Sequence, residues 1–230
     1  MTENYYDAKK HRYMLYKTDA FSNYVYSLIP QKGFSRFSRA IEFGAGMGRF
    51  SAALIPQFTK VILVEPTPAY AQMLAKSLSS ESVSVHQKTL QEYIETERSE
   101  ENTMVFCFHL LHHLAEPNRR KLFQYIKSIK ARAVFVEPNP FNPLIALQIL
   151  FHPDMSIKEE YRYLLQTPGR LRRELKKHRL SILSCSRVCP FPPFLMDLLL
   201  KKVSSHVVRK FELLARAFVF SGSYQIVVCE

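Results

Sequence analysis

Three glycines, Gly44, Gly46 and Gly48, alternate along "AIEFGAGMGRFS" (residues 40–51), in a chain of 230 residues that holds only six. Glycine weakens regular structure and is useful where a backbone turns sharply or approaches another group, so the spacing points to a ligand held by main chain. Glu42 stands two residues before Gly44, where a positively charged ligand tail would run. Glu65 closes an apolar run 21 residues after Gly44, the distance at which an acid accepts the hydroxyl hydrogens of a ribose. Three histidines, His109, His112 and His113, follow another apolar run in "VFCFHLLHHL" (105–114). Imidazole titrates near neutral pH, so these side chains could take a proton from a reacting hydroxyl.

The elements that must position these groups can be read from hydrophobic periodicity. The runs at 39–44, 60–66, 82–87, 103–109 and 132–138 are short, apolar and rich in β-branched or aromatic residues, which predicts buried strands. Between them "GRFSAALIPQF", "PAYAQMLAKSLSS", "LQEYIETE" and "PNRRKLFQYIKSIK" carry apolar residues at helical spacing. Alternation of this kind predicts crossover units on a parallel sheet, with the glycine turn between the first strand and a helix beginning near Gly48. Two later strands are expected at 181–188 and 223–229, all within one α/β domain spanning 1–230.

A dinucleotide site of the G-x-G-x-x-G type needs a third small residue at position 49, where this chain has Arg49. The order found instead, an acid followed by G-x-G-x-G, resembles the first motif of the class I methyltransferases that use S-adenosylmethionine, and Glu65 resembles their ribose-binding acid. "VFCFHLLHHL" is similar to their fourth strand and following loop. "VFVEPNPFNPL" (134–144) is similar to the fifth strand of members acting on lipid, quinone or sugar-lipid acceptors. The resemblance covers about residues 35–145. Thr103 replaces the acid that often opens the fourth strand, and "HQKTLQEY" lacks the carboxylate that commonly meets the adenine amine.

The resemblance implies a Rossmann-like, mostly parallel seven-stranded sheet with helices on both faces. It implies S-adenosyl-L-methionine as cofactor, held by Glu42, Gly44, Ala45, Gly46 and Gly48 in the first turn and by Glu65 and Pro66 after the second strand. Thr89 and Leu90 would meet adenine through their backbone, and Phe108 and His109 would line the pocket. Methyl transfer asks mainly for positioning, with a base needed where the acceptor is protonated. His109 and His113 are the expected catalytic residues; packing around the following helix is the competing role for each. Residues 1–30, with six tyrosines, are expected to cover a cofactor-binding core at 35–137, and 138–180 and 189–219 to form helical insertions on the acceptor side.

Charge and composition narrow the partners. Residues 1–100 hold 12 Lys+Arg against 10 Asp+Glu, and residues 101–230 hold 20 against 10, so the net charge of +12 belongs mostly to the second half. That asymmetry suits an anionic partner, or else a solvated basic face. In 193–218, Leu195, Leu199, Val203, Val207, Phe211, Leu214 and Phe218 form a helical stripe, with Lys201, Lys202, Arg209 and Arg216 opposite. Such a helix can make peripheral contact with an anionic membrane, or pack its stripe on its own core. The cysteines lack zinc-site spacing, so no metal is expected. The N-terminus is polar and no run of about 18 apolar residues occurs, which gives a cytoplasmic, membrane-peripheral expectation. The function expected is O-methylation of a small or lipid-linked acceptor. An RNA methyltransferase, less favoured without an appended RNA-binding motif, and a non-catalytic S-adenosylmethionine-binding protein are the alternatives.

Overall fold

Strands covered on both faces must be apolar at every position, and the expected strands form. The computed structural model describes residues 19–78, 80–97, 102–151, 161–189, 191, 193–215 and 222–230. β1 (Arg39–Phe43), β2 (Lys60–Val64), β3 (Val83–His86), β4 (Thr103–Phe108) and β5 (Arg132–Pro138) run parallel. β6 (Ile182–Val188) and β7 (Tyr224–Cys229) complete a seven-stranded sheet of order β3-β2-β1-β4-β5-β7-β6, in which β7 is antiparallel to both neighbours.

Successive strand residues point to opposite faces and feed two separate cores. Ala40, Leu63, Phe106 and Val134 pack on one face with α1 (Asp19–Ser27), α2 (Ser51–Leu54) and α3 (Pro68–Leu78). Ile41, Ile62, Val105 and Phe135 pack on the other with α4 (Leu90–Thr96) and α5 (Glu116–Ser128). α6 (Pro143–Phe151) leaves the carboxyl end of β5, and α7 (Pro168–Lys177) adds Leu171 and Leu175 to the second core. α8 (Pro193–Lys202) and α9 (Ser205–Ala215) connect β6 to β7 and add Met196 and Val208 to the first core.

Two expectations are corrected. The helix after the glycine turn begins at Ser51 rather than near Gly48, and a 3-10 turn, Ile55–Gln57, replaces it after four residues. Pro56 has no N–H with which to extend the α-helical ladder. The 193–218 stripe is two helices, because the chain turns at Val203–Ser204 and a new helix starts where Val208 N–H donates to the Ser204 carbonyl. Leu199 and Val203 pack on the core, while beyond the break Val208 and Glu212 turn inward and Val207, Phe211 and Leu214 face out. Arg216 and Phe218 lie outside the described residues, as do Tyr5, Tyr6, Tyr13 and Tyr16 of the expected N-terminal cover.

The described part of that cover, α1, touches both halves of the carboxyl edge. Ser22 Oγ donates to the Arg49 carbonyl at 2.5 Å, and the Arg49 guanidinium lies 4.9 Å from the Phe21 ring centre. Tyr24 Oη donates to Glu212 Oε2 of α9 at 2.6 Å.

Gly48 has φ +80, and a Cβ there would sit 2.8 Å from Leu74 Cδ2 and 2.9 Å from Leu78 Cδ1, so α3 packs directly on the turn. Gly48→Ala should destabilise the fold by about 1 to 3 kcal/mol through backbone strain and overpacking. Gly169→Ala, in the first turn of α7 with nothing within 4 Å of the added Cβ, should raise stability by up to about 1 kcal/mol through helix propensity. Chemical denaturation of both variants checks the contrast.

Candidate active site

The carboxyl ends of β1, β2, β3 and β4 bring the expected cofactor residues to one edge of the sheet. Gly44, Gly46 and Gly48 all adopt left-handed φ (70, 56 and 80), a conformation that side chains with a Cβ rarely take. Ala45 between them is buried. The turn is locked by hydrogen bonds: Gly44 N–H donates to the Val64 carbonyl at 2.8 Å, and Gly46 N–H donates to Glu65 Oε2 at 2.8 Å.

Glu65 follows β2 directly, with Oε1 accepting from Thr67 N–H at 2.9 Å, and exposed Pro66 beside it. Burial raises its pKa, opposed by the N–H donors of Thr67 and Gly46. Glu42 is buried under the turn and accepts from Ser51 Oγ, the first residue of α2, at 2.6 Å. Burial pushes its pKa up to about 8; the Ser51 hydroxyl opposes the shift and nearby Glu65 adds to it. A buried carboxylate whose pKa a second one raises further favours a cationic ligand, which would lower the cost of ionising it.

Thr89 and Leu90 open α4 at the end of β3, but Thr89 is committed to a capping box. Its N–H donates to Glu92 Oε2 at 2.7 Å and its Oγ1 accepts from Glu92 N–H at 3.2 Å. Phe108 stacks on Phe50 with ring centres 4.4 Å apart, joining the end of β4 to the glycine turn.

His109 takes a left-handed φ of 54 and its N–H donates to the Val136 carbonyl at 2.7 Å. Its ring lies 4.5 Å from Tyr224 and 5.7 Å from Phe50, between the start of β7 and the glycine turn. His113 sits in the tight turn that follows, its N–H donating to the Leu110 carbonyl, its ring 3.9 Å from that of His112.

Two residues escaped the sequence reading. Glu137, fully buried near the end of β5, accepts from Leu111 N–H at 2.8 Å and pairs with His112 Nδ1 at 2.6 Å. It therefore fixes the histidine turn to β5. A glutamate inside the apolar run "RAVFVEP" is a signal, because a buried carboxylate needs compensating donors, but its partners lie about 25 positions upstream and periodicity cannot find them. The other is Ser51.

Residues 40–131 match a family model described as a methyltransferase domain. A comparison with curated protein sequences gives no match. Among solved structures the chain is similar to the mitomycin 7-O-methyltransferase MmcR, at 13% identity and a TM-score of 0.55, over 91% of this chain and 52% of that one. It is similar to DhpI in its complex with SAH, at 13% identity and 0.58, over 99% and 94%. It is also similar to the small RNA methyltransferase HEN1, at 16% identity and 0.57, over 91% and 25%. This chain thus spans about half the length of MmcR and about a quarter of HEN1. At such identities the likeness speaks for the fold.

The raised pKa of Glu42 has a measurable sign. The group keeps its proton in the folded state up to about pH 8 but loses it near 4.5 when unfolded, so its contribution is fully present below about 4.5 and is lost as pH rises through 8. Denaturation between pH 5 and 9 should show the parent losing stability with rising pH and Glu42→Gln losing less. Equal slopes would mean that Glu42 is ionised throughout.

Proposed function

We propose that this chain, whose residues 40–131 match a methyltransferase-domain model, is a class I S-adenosylmethionine-dependent methyltransferase that transfers a methyl group to an oxygen of a small or lipid-linked acceptor. The observation that carries the reading is the meeting of the histidine turn with the glycine turn, through the Phe50–Phe108 stack and the Phe50–His109 contact. The residues present fit the cofactor: a left-handed glycine turn, a buried acid for a cationic amino-acid tail, and an acid at the ribose position. Bound there, S-adenosylmethionine supplies a methyl group on a positively charged sulfur.

Glu42, Gly44, Ala45, Gly46 and Gly48 hold the amino-acid end, and Glu65 with Pro66 holds the ribose. Leu90 takes the adenine contact more readily than Thr89, whose N–H serves the α4 cap. Phe108 and His109 form the wall toward the acceptor. His113 takes the proton that the acceptor hydroxyl releases as its oxygen becomes the nucleophile, and His109 bounds the site from the other side. Glu137 and His112 hold that turn in place.

The acceptor side consists of α6, α8 and α9, which are largely apolar, beside a basic surface. Peripheral contact with an anionic membrane through 193–218 fits this composition, although the first half of that stripe packs inward. No helix among the described residues is long and apolar enough to cross a membrane. Methylation of RNA is the second reading, favoured by the basic second half of the chain.

Glu65→Ala should weaken S-adenosylmethionine binding by about 1.5 to 3 kcal/mol in calorimetry, the range for a hydrogen bond to a charged group, with the fold retained. Unchanged affinity would remove Glu65 from the ribose site. Incubation of the protein with isotopically labelled methyl donor and lipid, small-molecule or RNA extracts, read by mass spectrometry, tests the acceptor. Label on the oxygen of a small or lipid-linked molecule is expected, and label on RNA alone would overturn the reading. With that acceptor, His113→Ala should slow transfer about 100- to 10,000-fold while cofactor affinity holds.

A further inference from the structure

We propose that α6 and α9 together form a surface that seats this protein on an anionic phospholipid bilayer, with the acceptor site opening toward the lipid. The inference rests on the reading above of a lipid-linked acceptor and adds the surface that would reach it. Residues 139–151 contain no charged side chain. Within them Leu144, Leu147 and Leu150 recur every third position, so they share one side of α6, and all three are exposed, Leu150 by 57%. On α9, Val207, Phe211 and Leu214 recur at helical spacing and are 51%, 52% and 74% exposed. Exposed apolar side chains that cluster, unlike single scattered ones, mark an interaction surface.

Both helices belong to the same edge of the sheet. α6 leaves the carboxyl end of β5, and α9 leads back to the start of β7, which is antiparallel to β5 and so begins at that edge. The chain entering α6 is tied to the chain entering β7: Asn142 Nδ2 donates to Ser223 Oγ at 3.2 Å, and Asn139 Nδ2 donates to the Gly222 carbonyl at 2.7 Å. The Arg187 guanidinium, near the end of β6, lies 5.8 Å from the Phe141 ring centre, just before α6. Phe191, before α8, stacks on Phe211 with ring centres 5.9 Å apart. His109 touches Tyr224 at this same edge, so an acceptor head could reach the histidine turn while its hydrocarbon tail stays in the bilayer.

Charge selects the partner. Residues 161–215 hold 12 Lys+Arg against three acids, and each acid, Glu174, Asp197 and Glu212, is already paired with a basic side chain. Lys202 and Lys210 stay exposed around the apolar residues of α8 and α9, beside Lys201, which is exposed but paired with Asp197. Apolar side chains that enter the acyl boundary, ringed by cations that meet lipid phosphates, are the combination by which interfacial helices bind anionic membranes.

Sedimentation of the full chain with phosphatidylcholine vesicles, with and without phosphatidylserine, tests the surface. Binding to the anionic vesicles and not to the neutral ones is expected in low salt. Leu147→Glu with Leu150→Glu, and separately Phe211→Glu with Leu214→Glu, should each lower that binding about tenfold or more, since each adds two charges that the surface repels. Titration with S-adenosylmethionine should be unchanged in both variants, which shows that they are folded. Lys201→Gln with Lys202→Gln and Lys210→Gln should also lower binding, leaving cofactor affinity unchanged. A parent protein that ignores anionic vesicles in low salt overturns the surface, as does equal vesicle binding by the glutamate variants, or retention of RNA without vesicles in filter binding. The acceptor reading fails separately: vesicle binding that follows the glutamate pattern, with label found only on water-soluble acceptors, supports the surface and removes the lipid-linked acceptor.

Discussion

A carboxylate at the end of β2 accepts an N–H from the middle of the turn after β1. That bond, Gly46 N–H to Glu65 Oε2, ties together the two strands whose ends frame the candidate cofactor site. It requires a backbone that curls through three left-handed residues in five positions, which only the glycines make inexpensive. The close packing of Leu74 and Leu78 on Gly48, and of Leu110 on Gly44, follows from the same curl, because neither glycine projects a side chain. The geometry of the candidate cofactor site, α3 packing and the start of the histidine turn therefore share one local constraint.

The electrostatics of the edge run against those of the whole chain. The protein carries a formal charge of +12, yet Glu42, Glu65, Glu137 and Glu212 are all buried at or near the carboxyl edge. Each is matched to donors: Ser51 for Glu42, Gly46 and Thr67 for Glu65, Leu111 and His112 for Glu137, and Tyr24, Cys189 N–H and Arg209 for Glu212. An acidic interior suits a cationic ligand, and a basic exterior suits an anionic partner. α1 spans the two environments, touching the glycine turn through Ser22 and α9 through Tyr24, so the candidate cofactor site and the α8–α9 region have a common support.

How far the sequence alone reaches depends on how local each interaction is. Strands were legible because burial on both faces demands unbroken apolar runs, and the glycine turn because its backbone requirement is written in three residues. Strand order was not, since β7 enters between β5 and β6 through pairings far apart in the chain. The break between α8 and α9 carries neither Gly nor Pro at Val203–Ser204, so periodicity ran through it. Glu212, between exposed Phe211 and Leu213, is buried because its partners Tyr24 and Cys189, 188 and 23 positions away in the chain, turn it inward. The resemblance makes Thr89 an adenine contact by position, while its hydroxyl and N–H close a capping box with Glu92, a motif readable in "TLQE" once the helix start is known.

The most direct measurement is titration calorimetry of the full chain with S-adenosylmethionine, with its demethylated product and with NAD. The left-handed turn, buried Glu42 and the Arg49 that replaces a third small residue predict saturable binding of the first two ligands and none of the third. Binding of NAD without binding of the methyl donor would contradict the cofactor site described for this edge.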